Sequence, residues 1–248
     1  EKRDKYKVYG ELINTYGYNL EPGSKELTAL NYYTNEEITI PLDPTQTPGE
    51  NAQRYFAKYN KQKRTFEALT ELIQETADDI QYLESISNAL DIALSEADLA
   101  QIKEELMQSG YIRRKHTKKK VKLTSKPMHY ISSDGYDMYV GKNNLQNEEL
   151  TFSFANGNDW WFHAKGAPGS HVIVKSGGDE LPDRTFEEAG RLAAYYSKNR
   201  GADKVEIDYI QKKHVKKPNG AKPGFVVYYT NYSLVIDSDI SNIKNVQD

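Results

Sequence analysis

An apolar seam between Tyr55 and Leu90 is the feature that most constrains how this chain can fold. Its members recur at alternating spacings of four and three residues: Tyr55, Tyr59, Gln62, Phe66, Leu69, Ile73, Thr76, Ile80, Leu83, Ser87 and Leu90. A shorter upstream seam has the same spacing and comprises Tyr9, Ile13, Tyr16 and Leu20. A heptad seam needs a partner helix, so we expect the two seams to pack antiparallel as a hairpin arm.

Capping residues indicate where the helices of this arm begin. Residues 47–50, Thr-Pro-Gly-Glu, form a capping box with the favoured proline at the first helical position. Ser95 and Asp98 cap a further helix that should stop near Gly110. The segment between the two seams alternates like two short strands around a turn, which predicts a small β tip at about 21–46. A buried helical bundle is the alternative, but the polar residues between seam positions favour an exposed arm.

Short β-rich runs dominate the chain from about residue 123 onward. They are Tyr130–Ser132, Met138–Gly141, Leu150–Phe154, Trp160–Ala164, His171–Lys175, Val205–Gln211, Phe225–Thr230 and Ser233–Asp237. One helix interrupts them, with Thr185 as its predicted cap and Glu188 completing the capping box. Strands at this density around one main helix favour an α+β domain with a mainly antiparallel sheet.

Composition and charge exclude several classes of protein. None of the 248 residues is cysteine, which removes disulfide scaffolds, thiol catalysis and Cys-ligated zinc. No stretch approaches the roughly 20 apolar residues of a membrane span, so we expect no membrane insertion. The formal net charge of -3 hides an acidic block at 66–105 and a basic block at 113–126. Because the chain opens at Glu1 without an initiator Met, we interpret it as a piece of a longer protein.

The polar run from Asp159 to His171 contains the residue types of a Ser-His-Asp hydrolase. Ser170 and His171 are sequence neighbours, however, and neighbouring side chains of a strand point to opposite faces. No nucleophile-elbow pattern surrounds Ser170. Zinc bound by Asp159, His163 and His171 is possible by ligand type, but the spacing matches no known motif. We therefore predict neither catalysis, nor a metal, nor a cofactor.

Two other segments are typical of nucleic-acid surfaces. Residues 142–144 offer a cation and two amides after a strand, and residues 212–224 place five lysines in one loop. Ordinary solvated surface is the alternative for that loop. Nearby aromatic residues could stack on bases, although some must fill the core: Trp160, Trp161, Tyr228, Tyr229 and Tyr232. The predicted nucleic-acid contacts are Lys142, Asn143, Asn144, His163, Lys165, His171, Lys212, Lys213, Lys216, Lys217 and Lys222.

Several long segments, in order, carry a family resemblance. They are Asn31–Tyr33, Ile40–Pro44 and Pro48–Phe56 upstream, and Ser133–Gly135, Val140–Asn147, Asp159–Val172 and Lys216–Gly224 downstream. The downstream segments resemble the NFACT-R domain, and the upstream ones resemble the coiled-coil middle region of the same proteins. These proteins form the bacterial RqcH, or fibronectin-binding protein A, family. The resemblance covers nearly the whole chain.

This resemblance implies an organisation and a function. It implies a coiled-coil arm at 1–110, a basic linker at 111–126 and an NFACT-R-like domain at 127–240. Full-length members carry further N-terminal domains before the coiled coil. The family binds obstructed large ribosomal subunits and tRNA, and its arm reaches the stalk base. It directs untemplated alanine tailing of stalled chains. The resemblance thus implies a cytoplasmic factor that binds rRNA and tRNA in ribosome quality control and is not itself an enzyme.

The second name of the family implies a different function. Several Gram-positive members have been described as surface adhesins and virulence factors that bind fibronectin after export by a non-conventional route. This chain shows no wall-anchor motif and none of the disordered repeats that add strands to fibronectin. Fibronectin binding at the cell surface is therefore retained as the alternative function, as a second activity of a folded protein.

Overall fold

The computed structural model describes residues 2–113 and 124–246, and the chain divides into two compact units, residues 1–78 and 79–248. The first unit contains helix α1 (Lys2–Tyr16), the antiparallel strands β1 (Glu26–Asn31) and β2 (Glu36–Pro41), and most of helix α2 (Pro48–Ile92). Helix α2 continues into the second unit. None of the helices described is long and apolar enough to cross a membrane.

The first unit has its own small core. Leu12 and Ile13 of α1, Ile40 of β2 and Tyr55 of α2 are at most 5% exposed and pack in one cluster. Strand β1 alternates exposed and buried residues, so one face of the hairpin covers the helices. The β hairpin is confirmed.

The predicted capping box of α2 is also confirmed. The Thr47 amide donates to Glu50 Oε2 at 2.7 Å, and the Glu50 amide donates to Thr47 Oγ1 at 3.2 Å. The reciprocal bonds satisfy two backbone donors, one at the helix start and one at the cap residue itself, and so fix where α2 begins.

The long seam of α2 is packed only in its first turns, and its last apolar members, Leu83 and Leu90, are 43% and 49% exposed. Phe66, Ile73 and Ile80 are 54–67% exposed, whereas Tyr55 is 5% exposed. The reason is length: α1 has 15 residues and α2 has 45, so at about 1.5 Å per residue α1 can line only a third of α2. The prediction that the upstream seam packs along the long seam therefore holds only for the first turns of α2.

The second unit begins with the last turns of α2 and helix α3 (Glu96–Gln108). Ile102 of α3 packs against Tyr82 and Ile86 of α2 in a cluster of its own. The capping box is confirmed, because the Asp98 amide donates to Ser95 Oγ and the Asp98 carboxylate accepts from the Ser95 amide.

The predicted antiparallel sheet forms the centre of the second unit, and it has seven strands among the described residues. Its strands are β3 (Met128–Ile131), β4 (Asp137–Val140), β5 (Trp160–Ala164), β6 (Val172–Val174), β7 (Val205–Gln211), β8 (Tyr232–Ile236) and β9 (Lys244–Asn245). Their order across the sheet is β8-β7-β5-β6-β4-β3-β9, so β8 and β9 are edge strands. The predicted bounds of β5 and β7 are confirmed.

Two predicted strands are not strands. Leu150–Phe154 is a π-helix that continues from helix α4 (Asn144–Glu149), and the Ala155 amide closes it by donating to the Leu150 carbonyl. A short apolar run cannot be assigned to strand or buried helix by its pattern alone. Phe225–Thr230 makes only an isolated bridge, in which Val227 pairs with Lys216.

Helix α5 (Asp183–Tyr195) covers one face of the sheet, where Phe162 and Leu192 are fully buried in the largest core. Its predicted cap is wrong, because α5 begins at Asp183, before Thr185. Thr185 Oγ1 instead donates to Asp134 Oδ2 at 2.8 Å. The Glu188 carboxylate accepts from the Ser133 amide at 2.8 Å. Both residues therefore hold the β3–β4 turn against the helix.

Candidate nucleic-acid interface

Lys142 follows strand β4 but does not face solvent as a free cation. Its ammonium lies 3.1 Å from Asp98 Oδ1, and the Asp98 side chain is 1% exposed. Burial acts to raise the pKa of Asp98, but hydrogen bonds from Ser125, the Leu94 amide and Lys142 outweigh it and lower that pKa to about 2. The ion pair holds α3 against the sheet domain.

Asn143 and Asn144 are interior residues, 2% and 7% exposed. Asn143 caps α4 by accepting from the Gln146 amide at 3.0 Å. Asn144 donates from its amide to Ser85 Oγ at 2.7 Å and to Glu105 Oε1 at 2.8 Å. The structure therefore assigns both an internal role, in place of the phosphate contacts that the sequence predicted.

His171 is 2% exposed, and its Nδ1 lies 2.8 Å from Thr151 Oγ1. His163 is partly buried, with its ring 5.6 Å from that of His171. Desolvation lowers the pKa of His163 to about 4 and lowers that of His171 well below its usual range. Both rings are neutral at pH 7, so neither supplies a charge for a phosphate. Because His171 is an internal residue, the prediction that it contacts nucleic acid is corrected.

Lys165 lies on the surface but has a partner of its own. Its ammonium forms an ion pair with Glu206 of β7, and both side chains are about half exposed. A phosphate would have to compete with that carboxylate. Within residues 2–113 and 124–246, no three His, Asp or Glu residues lie close enough together to hold a metal ion.

The predicted loop of five lysines, residues 212–224 and hereafter the lysine loop, is anchored at its far end. Lys217 pairs with Glu148 of α4 at 2.7 Å. Lys222 pairs with Asp79 of α2, and its ammonium also lies 4.6 Å from the ring centre of Tyr82. The hydrogen bond from Lys222 is the main cause that lowers the pKa of Asp79. These two lysines are already neutralised inside the unit.

The near end of the lysine loop forms no ion pair among the described residues, although the Lys212 ammonium lies 5.8 Å from the ring centre of Phe152. Among the residues described, Lys212, Lys213 and Lys216 have no carboxylate within ion-pair distance. Their backbone is nevertheless fixed: the Lys212 amide donates to the Asp159 carbonyl at 2.8 Å and the Lys213 amide to the Gly157 carbonyl at 3.0 Å. These three cations, hereafter the free lysines, are the candidate interface with a polyanion.

The structure also separates the aromatic residues that the sequence could not sort. Trp161 is fully buried, and Tyr228 donates its hydroxyl to Asp208 at 2.9 Å. Tyr229 and Tyr232 are 74% and 59% exposed. Trp160 is partly buried. Tyr229 and Tyr232 are therefore the most exposed of the five rings and the ones most open to a ligand.

Sequence reasoning missed the carboxylates that neutralise the other lysines. Three carboxylates each form an ion pair with a lysine that the sequence predicted to contact RNA: Asp79, Asp98 and Glu148. The sequence did contain a signal for this pairing, because the acidic block at 66–105 includes Asp79 and Asp98. Most of the predicted basic linker, residues 114–123, lies outside the described residues.

Comparisons with known proteins match two consecutive parts of the chain to one family. Residues 1–125 match the family described as NFACT N-terminal and middle domains, and residues 126–229 match the NFACT protein RNA binding domain. A protein named Rqc2 homolog RqcH from Streptococcus pneumoniae is 42% identical over 248 residues, all of this chain and 44% of that protein. Its namesake from Bacillus subtilis is 40% identical over 250 residues, 98% of this chain and 43% of that protein.

A solved structure is similar along nearly the whole chain. It is described as the C-terminal of the fibronectin/fibrinogen-binding protein from Streptococcus suis, with 37% identity and a TM-score of 0.73. The similarity covers 98% of this chain and 89% of that one. The chain spans less than half the length of the curated relatives it matches.

Proposed function

The chain belongs to the NFACT family, and on this basis we propose that it binds RNA through the free lysines as part of ribosome-associated quality control. The RNA-binding domain contains all three of them. Clustered cations can attract a polyanion even when the chain as a whole carries a formal net charge of -3.

The proposal extends to the family's partners. The RNA is ribosomal RNA of an obstructed large subunit, including the stalk base, together with tRNA. In this role the chain supports untemplated alanine tailing of stalled nascent chains in the cytoplasm, by binding and not by catalysis. Its support is the resemblance of both halves of the chain to the family and the names of the two RqcH relatives.

One observation carries the RNA-binding part of the proposal: the free lysines are ordered by backbone hydrogen bonds yet unpaired among the residues described. A lysine that already has a carboxylate must break that pair before it binds a phosphate. A free lysine releases condensed counterions from RNA at no such cost. We therefore expect only part of the lysine loop to bind phosphates.

Changing Lys212, Lys213 and Lys216 together to Gln should weaken binding to a ribosomal RNA fragment by about tenfold or more. Each lost phosphate contact should also reduce the slope of log affinity against log salt by up to about one, so the slope should fall by about two to three. Fluorescence anisotropy over a salt series measures both quantities.

The matched control replaces Lys103, Lys204 and Lys244 with Gln, which removes the same charge from exposed positions of the same unit. Lys204 precedes β7, at the opposite end of that strand from Lys212. The control should keep its salt slope. If both triple variants lose slope equally, or neither loses any, RNA binding through the free lysines is contradicted.

A second function has one observation in its favour, the description of the similar Streptococcus suis structure as part of a fibronectin/fibrinogen-binding protein. Strand β8, an exposed sheet edge, offers a pairing position for a strand of such a ligand. Backbone pairing of that kind releases no condensed counterions. The two functions therefore differ in how binding should depend on salt.

At about 50 mM salt we expect this chain to bind ribosomal RNA or tRNA more tightly than fibronectin, and to lose about tenfold or more of the RNA affinity by about 200 mM. Heparin should compete for the RNA site, because it is also a polyanion. Both ligands are measured at matched salt by surface plasmon resonance. Salt-resistant fibronectin binding without RNA binding at low salt would reverse the ranking.

A further inference from the structure

A row of aromatic rings crosses the sheet from the core to its edge. Phe162 of β5, Tyr209 of β7 and Tyr232 of β8 are direct cross-strand neighbours. Their ring centres are 5.4 Å and 5.5 Å apart, with interplanar angles of 14° and 26°. Phe162 is fully buried and Tyr232 is 59% exposed. The row is thus an offset stack that ends in an open ring at an edge strand.

The turn before β8 presents a second ring. Tyr229 is 74% exposed, whereas its neighbour Tyr228 points inward to Asp208. Thr230 follows with a φ of 57°, a left-handed conformation that a β-branched residue rarely adopts. Strained backbone of this kind clusters at ligand-contacting sites. The exposed Tyr229 ring is therefore next to a backbone position under strain.

The two rings and the free lysines lie at the same end of the β7–β8 pair. Tyr209 pairs with Tyr232, and Lys212 follows Tyr209 by three residues just as Tyr229 precedes Tyr232 by three. Lys216 exchanges backbone hydrogen bonds of 2.9 and 2.8 Å with Val227, two residues before Tyr229. The exposed rings and the unpaired cations therefore lie at one end of the β7–β8 pair. Tyr232 is on the face of the sheet that α5 covers, whereas the Lys212 ammonium lies 5.8 Å from the ring centre of Phe152, which packs against the opposite face.

We propose that this end of the β7–β8 pair, Tyr229 and Tyr232 with the free lysines, binds a single-stranded RNA that passes around the end of the sheet and stacks unpaired bases on the two rings. The inference rests on the RNA-binding function proposed above and adds the class of RNA. Every base has a π-face, so such stacking tolerates any sequence, while lysines follow the backbone. Bases inside a duplex are stacked on one another, so their faces are unavailable to the rings.

The charges favour RNA over a peptide as the occupant. An exposed edge strand can pair with an extended peptide, and that alternative would use β8 without needing cations. Three lysines with no carboxylate partner among the described residues instead indicate an anionic ligand. Stacking and phosphate contacts together are the combination found in single-strand binding grooves.

The test compares a single-stranded oligoadenylate of about ten nucleotides, carrying one 2-aminopurine, with an RNA duplex of equal length. Tyr229→Ala and Tyr232→Ala should each weaken single-strand binding about tenfold and reduce the quenching of 2-aminopurine. Duplex affinity should stay within about twofold. Tyr229→Phe and Tyr232→Phe keep the ring and should bind normally. Tyr18→Ala, at an 80% exposed tyrosine of the first unit, is the control.

The outcomes separate this inference from the function on which it rests. Full single-strand affinity in both Ala variants, with weakened binding in the triple lysine variant, overturns stacking and leaves electrostatic RNA binding in place. Equal losses for single strand and duplex also overturn stacking. Normal RNA binding by the Ala variants and by the triple lysine variant overturns both base stacking and RNA binding through the free lysines. Tyr229→Ala keeps the test valid if Tyr232→Ala weakens the sheet edge, since the Tyr229 ring lies outside the stack.

Discussion

Lys142→Met is expected to lower the free energy of unfolding by about 3 kcal/mol, because it leaves the buried Asp98 carboxylate without its cation. Removing one partner of a buried ion pair costs about 3–5 kcal/mol. The lower figure applies here, since Asp98 keeps its hydrogen bonds from Ser125 and the Leu94 amide. Urea unfolding followed by tryptophan fluorescence measures the loss, because both tryptophans lie on β5 of the same unit.

The pH dependence of this loss has a definite sign. The pKa of Asp98 is lowered from 3.8 to about 2 in the folded chain, so its ionised form stabilises the fold above pH 3.8. That contribution disappears as the pH falls through about 2. Without Lys142 the pKa of Asp98 should rise, so the stability difference between the native chain and Lys142→Met should shrink as the pH falls from about 4 to about 2.

RNA binding distinguishes this internal role from the phosphate contact that the sequence predicted. The folded Lys142→Met chain should keep the native salt slope, whereas a lost phosphate contact would lower the slope by up to about one. Adding Asp98→Asn to Lys142→Met should recover part of the stability, because the lone charge is then gone. Native stability together with a reduced slope would place Lys142 on the RNA-binding surface.

Gly141→Ala should destabilise the sheet unit by about 3–5 kcal/mol, because a Cβ there would lie 2.2 Å from Asn147 Oδ1 and 2.9 Å from the Asn147 backbone nitrogen. That Oδ1 accepts from the buried His171 amide at 2.9 Å. Moving it adds the cost of an unsatisfied buried donor to the cost of overpacking. The same urea titration measures the effect.

Gly157→Ala is the matched control. A Cβ at Gly157 would meet nothing closer than 3.7 Å, an ordinary contact with Lys213. We expect that variant to unfold within about 0.5 kcal/mol of the native chain. If Gly141→Ala were as stable as Gly157→Ala, the close packing of α4 against the end of β4 would be wrong.

The amino-acid sequence by itself determined the local elements of this protein. The capping residues around Thr47 and Ser95 act within one turn of the chain, and both predicted boxes are present. The β-rich runs that became β5 and β7 were assigned from composition and bounding turns alone, and their ends are confirmed. Such patterns suffice wherever the interacting groups are neighbours in sequence.

The sequence could not determine which polar residues face solvent. Lys142 and Lys212 follow strands in the same way, yet one is paired with a buried carboxylate 44 positions away and the other has no such partner among the residues described. Asn144 likewise bonds to Glu105, which is 39 residues distant. Only chain folding brings those partners together, and no local pattern records them.

The tertiary structure also decided the candidate interface. Tyr228 and Tyr229 are adjacent in sequence, but one hydroxyl reaches the buried Asp208 while the other ring stays 74% exposed. The register of β8 on β7 places Tyr232 at the end of an aromatic stack. The physical reason is that burial and pairing are properties of surfaces that meet in space. The sequence places lysines and tyrosines in these segments, and the fold determines which lysines stay without a carboxylate partner and which tyrosines stay exposed.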